Sequence, residues 1–269
     1  MSTEDSSKYT DLETYATGQL LTAINDLDQA VAGATQAAIP QISAFCNATL
    51  AKMKKGGRLF YVGSGTSGRL GIVDASECPP TYGVDHGVVV GIIAGGDSAI
   101  RKAVEFAEDD TKACFKQLQE YNINAKDTVV GISASGKTPY VLGAMKDCRD
   151  HGISTGCIVC NSESAIAAAS DFPMEVLTGP EFVRGSTRMK AGTGTKLALN
   201  MITTSLMIKL GHVKGNKMID MQLSNDKLVD RGTKMVMEET DLDYEEANKL
   251  LLEMGSVRAA VDAWVETKK

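Results

Sequence analysis

The chain lacks most of the features that would assign it to a class at sight. It has no apolar run of the ~20 residues that a membrane-spanning helix needs; the longest of interest, Leu197 to Ile208, stops well short. It has no basic excess, since Lys+Arg 28 against Asp+Glu 34 give a net charge of -6. With no Lys/Arg-rich run either, no nucleic acid and no membrane is expected as a partner, and an anion-binding site has to gather its positive field locally. Met1 to Thr10 is polar and acidic, without a basic n-region or an apolar h-region. No signal peptide is therefore expected, and the chain reads as a cytoplasmic protein. Histidine is scarce, and His86, His151 and His212 are isolated from one another. The cysteines Cys46, Cys78, Cys114, Cys148, Cys157 and Cys160 stand at unrelated spacings, as reduced thiols of a large interior do. Cys157 and Cys160 form a CxxC, but no second ligand pair stands at zinc spacing, so they read as buried strand thiols and no metal is expected.

What is present is ordinary globular composition: 269 residues, 43% hydrophobic and 23% charged, with 26 Gly and 6 Pro. That excludes disorder, collagen and coiled coil, and the length allows a full core and one or two domains. Residues from about Asp11 to Lys55 carry helical periodicity, punctuated at Pro40, and predict two helices. Short apolar runs come next, at Arg58–Val62, Val88–Ile93, Thr128–Ile132, Ser154–Val159 and, more weakly, Phe172–Leu177. Between them lie helical patterns at Ala99–Ala107, Lys112–Tyr121, Tyr140–Arg149 and Glu163–Ala169. Strands alternating with helices predict parallel βαβ units with helices on both faces of one sheet. Thr187–Leu210 reads as one long helix that is apolar nearly all round, implying burial against the sheet or a second subunit. Met218–Met237 is mixed, and Asp243–Met254 and Val257–Val265 look like a small helical appendage. The expected division is N-terminal helices over 1–54, a ligand-binding α/β domain over 55–217 and C-terminal helices over 218–269.

Two loops carry the chemistry. Gly63-Ser-Gly-Thr-Ser-Gly68 matches GxGxxG between a strand and a helix, where a dinucleotide fingerprint would lie. The other requirements of that fold are poorly met. Pro79-Pro80 is expected to end the helix within about ten residues of Gly68, and the second strand ends in Gly95-Gly96-Asp97, too far along for the ribose-binding acid. The hydroxyls of Ser64, Thr66 and Ser67, with the N–H of Gly65, suit a compact anion or sugar better. A second loop of the same kind, Gly131-Ile-Ser-Ala-Ser-Gly-Lys-Thr138, precedes Pro139, which is pre-set for the first turn of a helix. Ser133, Ser135, Gly136, Lys137 and Thr138 are candidates for a phosphate, with Ser64 to Ser67 taking the rest of a sugar phosphate. In a parallel sheet both loops lie at the carboxyl edge, where ligands bind at the topological switch point. Glu77, in Asp74-Ala-Ser-Glu-Cys-Pro-Pro-Thr81, is a carboxylate fixed beside a double proline; Glu108 by itself reads as the solvated end of a helix.

Four stretches together go further. Val62-Gly-Ser-Gly-Thr-Ser-Gly-Arg-Leu-Gly71, Asp74–Thr81, Ser133-Ala-Ser-Gly-Lys-Thr-Pro-Tyr140 and Gly185-Ser-Thr-Arg-Met-Lys-Ala-Gly-Thr193 closely resemble the N-acetylmuramic acid 6-phosphate etherases. These belong to the sugar isomerase (SIS) superfamily and are relatives of the glucokinase regulatory protein. The resemblance runs from about Lys55 to Arg231. It implies an α/β fold, a three-layer αβα sandwich on a five-stranded parallel sheet, with helices added at both ends. It also implies cleavage of a D-lactyl ether to N-acetylglucosamine 6-phosphate and D-lactate in cell-wall recycling, without a cofactor. The family's acid matches Glu77, which would protonate the departing ether oxygen and later activate water. Its second carboxylate matches Glu108, which would remove the C2 proton. Arg188 and Lys190 would lie near the site and complete the charge for phosphate or lactate, and the apolar helix after them points to a homodimer.

One expectation conflicts with another. A helix over Ala99–Ala107 leaving the carboxyl edge would carry Glu108 about 15 Å away, at 1.5 Å per residue. Either that helix is tilted or shorter, or Glu108 serves a partner subunit's site. Two other classes compete with a lyase: a sugar-phosphate sensor without catalysis, which could lose the carboxylates, and a sugar-phosphate isomerase, which has no use for the Ser-Glu-Cys-Pro-Pro turn.

Overall fold

The computed structural model describes residues 2–268. They divide into two compact units, one holding the chain up to Ala75 with Val89–Ile202, the other Ser76–Val88 with the chain from Thr203 onward. The helices read over 1–54 therefore group with the sheet, and the second unit also takes in a stretch far upstream of residue 218.

The first unit is built on five parallel strands, β1 (Leu59–Gly63), β2 (Val89–Ile93), β3 (Thr128–Ser133), β4 (Ser154–Val159) and β5 (Phe172–Glu175). Their order in the sheet is β2-β1-β3-β4-β5, every pairing being parallel. The helices in chain order are α1 (Thr17–Ala37), α2 (Ile39–Met53), α3 (Gly65–Tyr82), α4 (Ser98–Arg101), α5 (Ala113–Glu120), α6 (Pro139–Asp150), α7 (Ala165–Ala168) and α8 (Lys190–Leu210). The strands read as unbroken apolar runs because both faces are covered. On one face Phe60, Val62, Val90, Ile92, Val129 and Val159 join Leu118 of α5, Val141 and Met145 of α6 and Ile166 of α7 in a single cluster. Toward the other face Gly71 of α3 packs on Tyr61, and Phe45 of α2 lies over Gly156. Each fully buried Val, Ile or Phe side chain contributes about 1.5–3 kcal/mol to that assembly. At the amino edge, Asp127 ties β1 to β3. Its side chain, 1% exposed, accepts from Arg58 N at 2.9 Å, Arg58 Nη2 at 2.8 Å and Asn124 N at 3.0 Å.

Three helices differ from the reading of the sequence. The first, α3, passes through Pro79 and Pro80 to Tyr82. Neither proline can donate the i to i−4 bond, and each crowds the carbonyl four residues back, so the helix carries them only in its last turn and ends two residues later. Gly83, at φ +66°, donates its N–H to the Pro79 carbonyl at 2.9 Å and closes the helix. The second, α8, starts at Lys190 rather than Thr187. Its N-terminal N–H groups on Lys190 and Ala191 each donate to the fully buried carboxylate of Glu181 at 2.9 Å. Ala198, Leu199, Ile202, Leu206 and Met207 of α8 are buried within the one chain, while Ile208 is 45% exposed. The third, α4, stops at Arg101, well short of Ala107.

The second unit has its own small core, with Ile219, Met221, Val236, Ala247, Leu251, Val257 and Ala260 in one cluster. Its helices are α9 (Asp226–Glu239), α10 (Tyr244–Met254) and α11 (Val257–Thr267). The mixed stretch from Met218 becomes helical only at Asp226, where Asn225 caps the Leu228 N–H at 3.0 Å. Asp243 and Glu246 form a reciprocal capping box, and Gly255 at φ +79° ends α10 in the left-handed conformation. Arg258 Nε and His212 Nδ1 both engage Asp220, at 2.7 and 2.9 Å.

This packing makes two predictions about stability. Asp127→Ala removes a buried acceptor from three N–H groups of Arg58 and from Asn124 and should cost about 3 kcal/mol, the lower end for a broken buried pair; a denaturant midpoint equal to wild type would contradict it. Gly136 has φ +68°, and a Cβ there would stand 2.3 Å from Ser164 Cβ. Gly136→Ala should therefore destabilise by about 2 kcal/mol or more, whereas Ala at exposed Gly33, in mid-α1 with nothing near it, should stabilise or be neutral in the same assay.

Candidate active site

The strand order reverses between β1 and β3, so the loops after these two strands face a common crevice at the carboxyl edge. Residues 63–68 and 133–138 are those two loops.

After β1 the chain turns into α3 within two residues. A Cβ on Gly68 would stand 2.8 Å from the Gly63 carbonyl oxygen and 2.6 Å from Ile93 Cγ1, so the tight strand-to-helix approach needs glycine there. Thr66 and Ser67 occupy the first turn of α3, both half-buried, with Gly65 exposed. Ser64 Oγ donates to Glu108 Oε2 at 2.8 Å. Glu108 is thus at the loop, not about 15 Å from it, and the short α4 is the reason. Arg69, one turn into α3, donates from Nε to the Ile100 carbonyl and from Nη2 to that of Ala99, both at 2.7 Å. These are acceptors that a longer α4 would use. Lys102 is extended, and Phe106 takes φ +60°. The chain then returns, with the Glu108 carbonyl accepting the Tyr140 N–H of α6 at 2.9 Å. Ser64, Arg69, Glu105, Phe106 and Glu108 line a cavity of about 190 Å³.

After β3, three hydroxyls converge at the N-terminus of α6. Ser133, 3% exposed, pairs its Oγ with Thr138 Oγ1 at 2.8 Å and with Ser135 Oγ at 3.4 Å. Ser133 Oγ also accepts the Gly136 N–H at 3.2 Å, and Ser135 Oγ accepts that of Lys137 at 3.3 Å. Thr138 is the N-cap, and its side chain caps no N–H of the helix. Pro139 opens the helix, and Lys137 is exposed. Hydroxyls and the positive end of a 12-residue helix dipole therefore face one spot, a ready site for a compact anion.

The remaining candidates are placed differently. Glu77 is exposed on α3. It belongs to the second compact unit, whereas Ser64 and Glu108 belong to the first. One turn before it, Asp74 pairs with Lys196 at 3.0 Å. Arg188 is exposed in the turns ahead of α8. Lys190 is buried, and its Nζ donates to the Thr178 carbonyl at 2.7 Å. Burial holds its pKa below the usual lysine range, partly offset by Glu181. Its ammonium therefore serves the segment that precedes α8. Cys157 and Cys160 are buried, their thiols pushed up by burial to about 11 and about 12. No group of three His, Cys, Asp or Glu side chains is arranged as metal ligands among the described residues. Nothing in the sequence reading pointed to Arg69 as the residue that pins α4 to α3; its place in the matched motif was the one available signal.

Comparison with known proteins adds what geometry alone does not contain. Residues 41–149 match the family described as the glucokinase regulatory protein N-terminal SIS domain. The N-acetylmuramic acid 6-phosphate etherase of Christiangramia forsetii is 60% identical over 261 residues, covering 97% of this chain and 95% of its own. That of Bacteroides fragilis is 58% identical over 97% of this chain and 93% of its own, and that of Cronobacter sakazakii 49% identical over 90% and 81%. Among solved structures, a phosphoheptose isomerase from Neisseria gonorrhoeae superposes with a TM-score of 0.53 at 17% identity, over 70% of this chain and 97% of its own. A phosphoheptose isomerase from Francisella tularensis gives 0.52 at 17% identity, over 72% and 98%. Those two likenesses establish the fold and go no further. The etherase identities run along nearly the whole of both partners, and on that ground the chain belongs to the N-acetylmuramic acid 6-phosphate etherase family.

Proposed function

We propose that this protein is a carbon–oxygen lyase that cleaves the D-lactyl ether of N-acetylmuramic acid 6-phosphate to N-acetylglucosamine 6-phosphate and D-lactate. It would do so in the cytoplasm, in the recycling of peptidoglycan, and without a cofactor. The observation that carries the reading is Glu108, hydrogen-bonded to Ser64 at one side of the switch point, with a hydroxyl-rich helix N-terminus at the other. The cavity around Glu108 also holds Glu105, and the Arg69 guanidinium there is engaged by carbonyls. A phosphate dianion is repelled there and belongs at the N-terminus of α6, with Ser133, Ser135, Gly136, Lys137 and Thr138. The carbon skeleton is left to Ser64–Ser67 and Glu108. Arg188 is available for the lactyl carboxylate; Lys190 supports its own segment.

An unactivated ether is a poor leaving group, so the reaction begins by opening the ring. The C1 aldehyde acidifies the C2–H, Glu108 takes that proton, and the C3–O bond breaks with its electron pair going to oxygen. Glu77 protonates the departing lactate oxygen. Water then adds at C3, deprotonated by Glu77, and C2 is reprotonated. Two carboxylates with opposite tasks suffice, and all atoms and charges balance without redox chemistry. The protein is also read as a homodimer held partly by α8, of which Ile208, 45% exposed, is the apolar side chain most open to a second copy.

The direct test is D-lactate release from N-acetylmuramic acid 6-phosphate by the purified protein. Glu77→Gln should lower release at least ~10²-fold, as loss of a general acid does, while C2–H exchange with solvent deuterium survives. Glu108→Gln should lose exchange and release together. The opposite pattern would reverse the two assignments, and normal release in both would remove both residues from the chemistry. In oxygen-18 water, elimination and hydration put the label on C3 of the sugar, whereas an unlabelled sugar would mean attack at the lactyl carbon. Sedimentation should give a dimer at micromolar concentration; a fully active monomer would contradict the assembly.

A further inference from the structure

A loop that binds an anion has to present N–H groups and hydroxyls while turning its carbonyl oxygens away. In 133–138 three successive carbonyls are held from behind by the chain that runs from the end of β4 into the first turn of α7. That of Ala134 accepts the Cys160 N–H at 3.0 Å, that of Gly136 the Ile166 N–H at 3.1 Å, and that of Ser135 the Asn161 Nδ2 at 3.4 Å. Two of these donors are backbone and fixed by the fold. The third is a side-chain amide, whose direction something else must set.

Thr3 sets it. The Thr3 N–H donates to Asn161 Oδ1 at 2.8 Å, and Thr3 Oγ1 accepts from Asn161 Nδ2 at 3.0 Å. A backbone N–H can only donate, so it selects the oxygen end of the amide and leaves the NH₂ end for Ser135. Thr3 is fully buried although the residues around it are polar and acidic. Such a segment has little apolar surface to order it; hydrogen bonds and one ring contact do so instead. The Glu4 carbonyl accepts from Arg184 Nε at 2.8 Å, and farther along Tyr9 packs its ring on Phe182 at 5.5 Å between centroids. The N-terminal segment thus straps the 133–138 loop to the stretch that leads to Arg188.

We propose that Asn161, oriented by Thr3, is a positioning residue for sugar-phosphate binding, and that the segment around Thr3 is a working part of the phosphate site. The proposal rests on the reading that the Ser133–Thr138 loop takes the phosphate. Without the amide, the Ser135 carbonyl is free to rotate toward the anion, so affinity falls while the chemistry at the other loop is untouched.

The test measures two quantities on four variants: kcat and KM for lactate release, and the Kd for N-acetylglucosamine 6-phosphate by titration calorimetry. One hydrogen bond is worth roughly two- to tenfold. Asn161→Ala should raise KM and Kd together by about tenfold. Asn161→Asp, which turns a carboxylate oxygen toward the carbonyl and the phosphate, should raise them more. Thr3→Val keeps the shape and the N–H but lacks the acceptor, and should raise both about threefold; Thr3→Ser should restore wild-type values. In each variant kcat should stay within about twofold of wild type. Unchanged Kd in Asn161→Ala, or a fall in kcat at constant KM, overturns the proposal. Should the Asn161 variants not fold, the Thr3 pair decides, and equal Kd for Thr3→Val and Thr3→Ser overturns it. Absence of lactate release from the wild type would sink the enzymatic reading alone, because the ratios of Kd would still judge the strap.

Discussion

The guanidinium of Arg69 donates to the carbonyls of Ala99 and Ile100, the acceptors that a continuing α4 would need for the N–H groups one turn on. The helix ends there, and the chain leaves it at Lys102 with its last turn pinned to α3 by those two bonds. A series of turns then brings Glu108 back to Ser64, where a regular helix would have carried it away from the sheet edge. The strain at Phe106, a non-glycine residue in the left-handed region, is the local cost of that return, of order 1–3 kcal/mol. Because Arg69 stands one turn into the helix that loop 63–68 begins, the same stretch of sequence supplies both the loop and the clamp that aims a carboxylate at it.

Charge then sorts the crevice into two ends. Neighbouring strands lie about 4.8 Å apart, so the loops after β1 and β3 are close enough for one phosphosugar to reach both. They are not equivalent. The β3 loop has a helix dipole, three hydroxyls and no acid in its sequence, while the β1 side has Glu105 and Glu108. A molecule with one dianionic end has a single low-energy orientation in such a field. An acidic chain does not oppose such an orientation, because partial charges of backbone N–H groups act over a few ångströms and net charge acts over the whole surface.

The parallel sheet, its five strands and the two hydroxyl loops were legible because each rests on local signals: short apolar runs, and glycine with serine directly after them. What was illegible rests on side chains meeting across long sequence separations. Periodicity over Ala99–Ala107 is a fair helix signal, and nothing nearby says that Arg69, far earlier in the chain, will occupy its carbonyls. Pro79-Pro80 reads as a stop, and it is one, but a turn later than a local rule places it. The apolar character of α8 says that the helix is covered, by the sheet or by a second subunit, and not which; one chain already buries Leu199, Ile202, Leu206 and Met207.

Lys190 and Thr3 show why residue type alone misassigns function here. A lysine in a glycine-flanked motif beside a phosphate-binding fold invites the role of anion ligand. Its ammonium is instead spent on the Thr178 carbonyl, where burial lowers its basicity, and Glu181 beneath it caps α8. A threonine in a polar tail invites no role at all. Yet it is fully buried, with its N–H and Oγ1 both engaged by Asn161 beside the Ser133–Thr138 loop. The difference is desolvation: a buried polar group keeps only the partners that the fold provides. Asking which polar groups have lost water, and what replaced it, therefore locates supporting residues that charge and motif pass over.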